Sequence, residues 1–264
     1  MTERQYHLAC GPGDVGGYVL MPGDPGRCER IAAELEGAAL IAANREYTTW
    51  TGRLEGQAVS VTSTGIGGPS TAIAVEELCN LGAHTLIRVG SCGAMQPGLR
   101  LGDVVVAQAA VRDEGTSLQY VPLAWPAVAH LDVVDALRAA AAEAGVRHQT
   151  GTVQSKDSFY GEMEPGRMPV AAELQARWEA WIRAGVLASE MECAALFAAA
   201  AVRRVRAGAA LAVVNAAPTV DAMPDPGRLP IDSVIAVAVD AVRRLARGAA
   251  GGSPPASGRV SAQS

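Results

Sequence analysis

The chain has 264 residues, 49% of them hydrophobic and 4% aromatic, with a formal net charge of −5. That length can bury a large core in one domain, and without a basic stripe a nucleic-acid partner is not expected. Residues Met1 to Leu8 are polar with no apolar leader core, and no apolar run reaches the roughly 18 to 20 residues of a membrane helix without a charge or a glycine.

Strands and helices alternate along the sequence. Apolar or β-branched runs predict strands at 17–22, 38–43, 47–54, 57–64, 85–91, 103–112, 150–155 and 209–215. Residues 47–64 read as a hairpin turning at Glu55-Gly56. Helices are predicted at 26–36, 69–82, 131–144, 170–183, 190–204 and 229–247, with Pro69 a suitable first helical residue. This order predicts one α/β domain over residues 1–247, with a central mixed, mostly parallel sheet flanked by helices. Residues 248–264 are rich in Gly, Ser, Pro and Ala and are expected to form a disordered tail. The five cysteines, at 10, 28, 79, 92 and 193, have no CxxC spacing and read as reduced thiols in a cytoplasm.

Ligands of such sheets bind at the carboxyl ends of strands. Gly23, Arg88, Ser91 and Asn215 fall at such ends. In Ile87-Arg88-Val89-Gly90-Ser91-Cys92-Gly93-Ala94 an arginine sits in a buried strand that runs into a glycine-rich turn. Burying that charge is costly unless an anion meets it, and the guanidinium fork suits phosphate or carboxylate. Taken alone, the segment fits a structural ion pair as well as a small-oxyanion site. Two further segments favour the oxyanion. Met21-Pro22-Gly23-Asp24-Pro25-Gly26-Arg27 is a strand, a tight turn and a helix start. An arginine there opposes the helix dipole, which points to a bound negative charge. Asn44-Arg45-Glu46-Tyr47 puts a third arginine at the head of a strand.

Other motifs fail. Gly65-Ile66-Gly67-Gly68-Pro69-Ser70 is not a dinucleotide fingerprint, because its sixth position is Ser70 and no acidic residue follows about 20 residues on. There is no Gly-Lys-Ser/Thr phosphate loop and no GxSxG elbow. The four histidines lack metal-ligand spacing. In Ser189-Glu190-Met191-Glu192-Cys193 the two carboxylates are two residues apart and cannot share a helix face. One is expected to point into a cavity while the other packs or caps. Both could also be simple helix-start charges. The functional reading gives Glu192 a vicinal diol to accept from, as carboxylates do with ribose.

Arginines around an anion beside a sugar-binding carboxylate point to phosphorolysis of a nucleoside. Six segments carry a resemblance to the nucleoside phosphorylase superfamily, and within it to the uridine phosphorylases. They are Pro22-Gly23-Asp24-Pro25-Gly26-Arg27, Arg45-Glu46-Tyr47-Thr48-Thr49-Trp50, Ser63-Thr64-Gly65-Ile66-Gly67-Gly68-Pro69-Ser70, Ile87-Arg88-Val89-Gly90-Ser91-Cys92-Gly93, Lys156-Asp157-Ser158-Phe159-Tyr160 and Glu190-Met191-Glu192.

The resemblance implies a pentosyltransferase that converts uridine and phosphate to uracil and ribose 1-phosphate. It implies that Gly23, Arg27, Arg88 and Ser91 hold phosphate, with Arg45 reaching the phosphate of a neighbouring subunit. Ser91 stands where the family usually has threonine. Met191 and Glu192 would hold the ribose, and His7 would contact the 5′-hydroxyl across a dimer interface. Phe159 and Arg167 would meet the base. Glu46, Ile66 and Ser70 match positions that hold potassium at the dimer interface in some members. No organic cofactor is implied. The assembly would be a homodimer or a hexamer built as a trimer of dimers.

Two segments depart from the family. Glu162 replaces a glutamine that reads the uracil edge in pyrimidine members, and a carboxylate would repel a carbonyl oxygen there. Val213-Val214-Asn215-Ala216-Ala217-Pro218 lacks the aspartate of purine members and the polar run of some pyrimidine members. A modified uridine, for instance at the 5′ position, or a purine nucleoside therefore stands as the alternative substrate. The competing classes are a nucleosidase using water and a non-catalytic nucleoside-binding protein. Neither needs three phosphate arginines.

Overall fold

The computed structural model describes residues 4–216 and 229–251. From β1 (Tyr18–Met21) the chain passes through a Pro-Gly loop into α1 (Gly26–Ala32). A meander of β2 (Glu36–Asn44), β3 (Tyr47–Leu54) and β4 (Gln57–Thr62) follows, then α2 (Gly68–Asn80) and β5 (Thr85–Ala94). Next come β6 (Val104–Asp113), β7 (Ala127–Val128), α3 (Leu131–Glu143), β8 (His148–Lys156) and the short α4 (Phe159–Met163). A 3-10 turn at Pro165–Arg167 leads to α5 (Ala171–Arg183), β9 (Ala188–Glu190), α6 (Cys193–Arg203), β10 (Arg206–Asn215) and α7 (Asp232–Gly251).

The strands form one mixed sheet in the order β10-β6-β8-β9-β5-β1-β4-β3-β2, and β10 also pairs with β5. That extra pairing closes the first five strands into a ring, from which β1, β4, β3 and β2 extend as a sheet. Parallel ladders join β1 to β4 and β5, β5 to β10, and β8 to β6 and β9. The outer hairpins and the β10–β6 and β5–β9 ladders are antiparallel. At the β3–β4 turn Glu55 and Gly56 both have positive φ, 51° and 74°, the geometry that matches the twist of a tight hairpin.

Alternation along the central strands splits the core in two. Val104, Val106, Ala210 and Ala212 pack with α1, α3 and α7 on one face. Val105, Ala107, Ala209 and Leu211 pack with α2 and α6 on the other. Helix α6 is mostly alanine and buried from Cys193 to Ala200. Its small side chains let the helix lie close against the strands.

Three elements differ instructively from the sequence reading. The predicted turn after Val89 is strand, because Ser91, Cys92 and Gly93 keep their ladder with β10 while Gly93 and Ala94 pair with β9. The predicted helix 190–204 starts only at Cys193, since Glu190 belongs to β9. Helix α1 stops at Ala32 rather than at 36, where β2 already begins. Strands β7 and β9, of two and three residues, and α4, of five, are too short to leave a periodic signal. Helix α7 extends past the predicted end at 247 to Gly251, and the rest of the predicted tail lies outside the described residues. Among the described residues no helix is long and apolar enough to cross a membrane.

Candidate active site

A cavity of about 620 Å³ opens where β1, β5 and β10 end. The loops after β1 and β4 bring Gly23, Gly65 and Ile66 to its wall, and the start of α1 brings Arg27. Strand β5 contributes Arg88 and Ser91, β10 contributes Asn215, and the β9–α6 junction contributes Glu190, Met191 and Glu192. Phe159 and Met163 of α4 and Lys156 of β8 complete it.

Arg88 is the centre of the arrangement, with a side chain only 6% exposed. Its Nε donates to Glu190 Oε2 at 3.0 Å, and its Nη2 is ion-paired with Glu192 Oε2. Room for the folded-back guanidinium comes from Gly90: a Cβ there would stand 2.8 Å from Arg88 Cζ and 2.7 Å from Leu211 Cδ2. Nη1 is buried and has no hydrogen-bond partner among the described residues. It lies 3.9 Å from the place a Cβ would occupy on Gly23. A buried donor left this way is expensive, and here it faces a glycine turn inside a cavity.

The two carboxylates play different parts. Glu190 accepts from the backbone N–H of Glu192 at 2.9 Å and of Cys193 at 3.0 Å, and from the Ser155 hydroxyl. It thus caps α6 from the end of β9 and is fully committed to structure. Burial alone would raise its pKa, but Arg88 and these hydrogen bonds outweigh that and hold it below the ordinary value. Glu192 accepts from the backbone N–H of Gly67 at 2.6 Å. Gly67 has φ +94°, so the turn that presents this N–H needs a glycine. Burial above all raises the Glu192 pKa, and nearby Glu190 adds to the rise against the pull of Arg88. The sequence assigns one carboxylate to a cavity and one to capping. In the structure both line the cavity and pair with Arg88, Glu190 from a strand end where it also caps α6 and Glu192 from the junction that follows.

Arg27, in the first turn of α1, lines the cavity with its Nε 3.9 Å from Asp24 Oδ2 and a side chain 11% exposed. Burial, first, lowers its pKa, and Arg88 adds to the effect. Two cations drawn toward one spot are stabilised by an anion between them.

Arg45 and His7 are not in this chain's cavity. Arg45 is exposed on the β2–β3 turn with a left-handed φ of 55°. His7 is anchored by Glu77 of α2, which accepts from its backbone N–H at 3.0 Å and from Nδ1 at 2.7 Å. Asn44 Nδ2 donates to the His7 carbonyl at 2.7 Å, tying the two sites together. Tyr6 and Ile66 are 78% and 79% exposed in the same region. Glu46, Ile66 and Ser70 adjoin: the Ser70 hydroxyl donates to the Ile66 carbonyl at 3.2 Å, and a Cβ on Gly65 would meet Glu46 Cγ at 2.8 Å.

At the other end the sequence reading needs correcting. Arg167 does not reach the cavity. It sits exposed on the 3-10 turn, ion-paired with Glu164 three residues before it. Glu162 does not face the cavity either. Its Oε1 is 3.1 Å from Lys156 Nζ, and its Oε2 is 2.7 Å from Ser189 Oγ. It lines instead a second cavity of about 710 Å³ between β8, α4 and α5, and among the described residues Lys156 alone belongs to both walls. In the altered segment at 213–218, Val214 and Asn215 line the site, while Ala217 and Pro218 lie outside the described residues.

The sequence profile of the family described as "Phosphorylase superfamily" matches residues 18–249. The chain belongs to the phosphorylase superfamily. It is 51% identical over 245 residues to the uridine phosphorylase of Treponema pallidum (strain Nichols), covering 92% of this chain and 95% of that one. It is 52% identical over 211 residues to the uridine phosphorylase of Thermococcus kodakarensis, covering 79% of this chain and 76% of that one. A guanosine phosphorylase of Halorubrum lacusprofundi is 36% identical over 250 residues, covering 92% of this chain and 99% of that one.

Within this superfamily member, three site residues escaped the sequence reading. The sequence allows Glu190 a packing, capping or helix-start role but does not show that it also holds Arg88. Ser189 and Lys156 lie within the segments singled out in the sequence, which give them no role. Their common signal was a polar residue at the carboxyl end of a strand, the same signal that picked out Arg88 and Asn215.

Proposed function

We propose that this chain catalyses the phosphorolysis of uridine, giving uracil and ribose 1-phosphate. The observation that carries this reading is the buried, unpartnered Nη1 of Arg88 turned toward Gly23 beside Arg27. Phosphate held there by Gly23, Arg27, Arg88 and the Ser91 hydroxyl would lie beneath the sugar, in contact with Met191 and Glu192. The C1′–N1 bond breaks toward an oxocarbenium-like cation. A phosphate oxygen closes on C1′ while the bonding pair leaves on N1 of the base. Holding the nucleophile in place replaces a bimolecular encounter with a bound one. No organic cofactor enters this scheme.

Uracil is favoured over guanine or a modified base because Glu162, the residue that raised the doubt, is already neutralised by Lys156 and turned from the cavity. The stronger likenesses are also to uridine phosphorylases. The domain is taken as residues 1–247, and a cytoplasmic enzyme suits five free cysteines. Arg45 and His7 would complete a neighbour's site in a homodimer, alone or within a hexamer, across the face bearing Tyr6 and Ile66. The oxygens of Glu46, Ile66 and Ser70 are a fitting set for a potassium ion at that contact, where it would neutralise Glu46.

The direct test is to incubate enzyme with uridine, with and without phosphate, and to measure free uracil. Release only with phosphate is expected. Release without phosphate would indicate a nucleosidase, and no release a binding protein.

Glu192 gives a sharper check. Its carboxylate accepts from the Gly67 N–H and pairs with Arg88, and it can also accept from the ribose diol. Glu192→Gln should lower the uridine to 2′-deoxyuridine ratio of kcat/KM by about tenfold, the worth of one charge-assisted hydrogen bond of roughly 1.5 kcal/mol. An unchanged ratio would leave Glu192 as a partner of Arg88 and nothing more. Because its pKa is raised, ionised Glu192 should be lost from above the ordinary carboxylate range as pH falls. The acid limb of kcat/KM for uridine should lie correspondingly high and should vanish in Glu192→Gln.

A further inference from the structure

The reaction proposed above leaves negative charge on the departing pyrimidine, spread over N1 and the two carbonyl oxygens. A donor fixed beside that charge would stabilise the transition state. Arg167 stands too far out to serve. Among the described residues three cationic side chains line the cavity: Arg27, Arg88 and Lys156. The first two gather at Gly23, the phosphate end. Lys156 ends β8 and lines the wall with Phe159 and Met163 of α4 and with Ser189.

Its environment is built to hold an ammonium still. The Lys156 side chain is 9% exposed and that of Glu162 6%. Nζ donates to Ser189 Oγ at 2.7 Å and pairs with Glu162 Oε1 at 3.1 Å. Ser189 Oγ in turn lies 2.8 Å from Gln154 Oε1 and 2.7 Å from Glu162 Oε2, so its one proton goes to either. Gln154 Nε2 donates to Asp113 Oδ2 at 2.7 Å, anchoring the chain of contacts on β6. An ammonium has three N–H donors, and these contacts use two of them.

We propose that Lys156 is the catalytic cation for the leaving base and that Glu162 and Ser189 are its positioning residues. Lys156 donates its remaining N–H to a carbonyl oxygen of the base as the C1′–N1 pair departs. No proton need transfer, and the uracil anion takes its proton from water after release. The carboxylate at 162, unsuited to touch uracil, is suited to hold a lysine that does. This inference rests on the phosphorolysis reading above.

The test compares two leaving groups at saturating phosphate. Fluorine at C5 withdraws electrons, so 5-fluorouracil leaves more readily and needs less stabilisation. Lys156→Met should lower kcat/KM about 10²-fold on uridine and only about tenfold on 5-fluorouridine, in the range of one lost transition-state donor. Lys156→Arg should restore much of the wild-type ratio. Glu162→Gln, which loosens the anchor but keeps the ammonium, should move the ratio the same way by about threefold, and it carries the test if Lys156→Met fails to fold. Equal losses on both nucleosides would make Lys156 a brace between β8 and α4 and overturn the proposal, as would no loss. Wild-type enzyme without phosphate-dependent uracil release would instead remove the reading on which it stands.

Discussion

Arg88→Ala is expected to lower kcat/KM for phosphate by at least about 10²-fold, because it removes a charge-assisted contact to the nucleophile. From the sequence alone, the fold is expected to survive this change. The geometry adds a second effect. Arg88 is the cation between two buried carboxylates, Glu190 and Glu192. Deleting one partner of a buried ion pair costs about 3 to 5 kcal/mol, since the other charge is left uncompensated. Urea unfolding of Arg88→Ala should therefore show a lowered midpoint. Pairing the change with Glu190→Gln should recover part of the stability and none of the phosphate use. Near-normal phosphorolysis in a folded Arg88→Ala protein would sink the anion-site reading.

This dual role explains what could be read in the sequence and what could not. The strands that carry the site announce themselves by apolar runs, and Arg88 stands out because a charge in such a run needs a reason. The reason itself lies far away. Glu190 is 102 residues along the chain from Arg88, and Gly67, which binds Glu192, is 125 residues before it. No local pattern records such convergence. Only the resemblance to a family placed these groups together beforehand, and it did so by motif rather than by contact.

The base end marks the limit of that transfer. The family resemblance puts Arg167 on the base as its arginine and Glu162 there in place of a glutamine. The chain after Phe159 is a one-turn helix followed by a 3-10 turn. Arg167 finds Glu164 three residues away, and Glu162 finds the buried Lys156. A short-range ion pair and a buried one each decided a side chain's direction, and neither partner was part of the pattern used to assign the roles. The closure of the sheet was also invisible. It depends on β9, whose three residues pair with both β5 and β8. A strand that short leaves no alternation to detect.

Subunit mixing gives the last expected result. In the proposed dimer each cavity takes Arg88 from one chain and Arg45 and His7 from the other. Arg45 is exposed and absent from its own cavity, while its neighbour Glu46 lines that cavity, so the β2–β3 turn sits at the mouth. Arg45→Ala should be nearly inactive for want of the neighbour's cation. Arg88→Lys should also be nearly inactive, because one ammonium cannot serve Glu190, Glu192 and phosphate in the directions that a guanidinium fork does. It keeps a charge between the carboxylates and so is the better-folded choice for mixing. A closed two-fold dimer of one chain of each kind has one site with both defects and one with neither. Random exchange at equal amounts makes half the dimers mixed, so about one quarter of all sites, and about one quarter of wild-type activity, should return. Native mass spectrometry would verify the exchange. Verified exchange without recovered activity would mean that Arg45 serves no neighbour and that each site is built from a single chain.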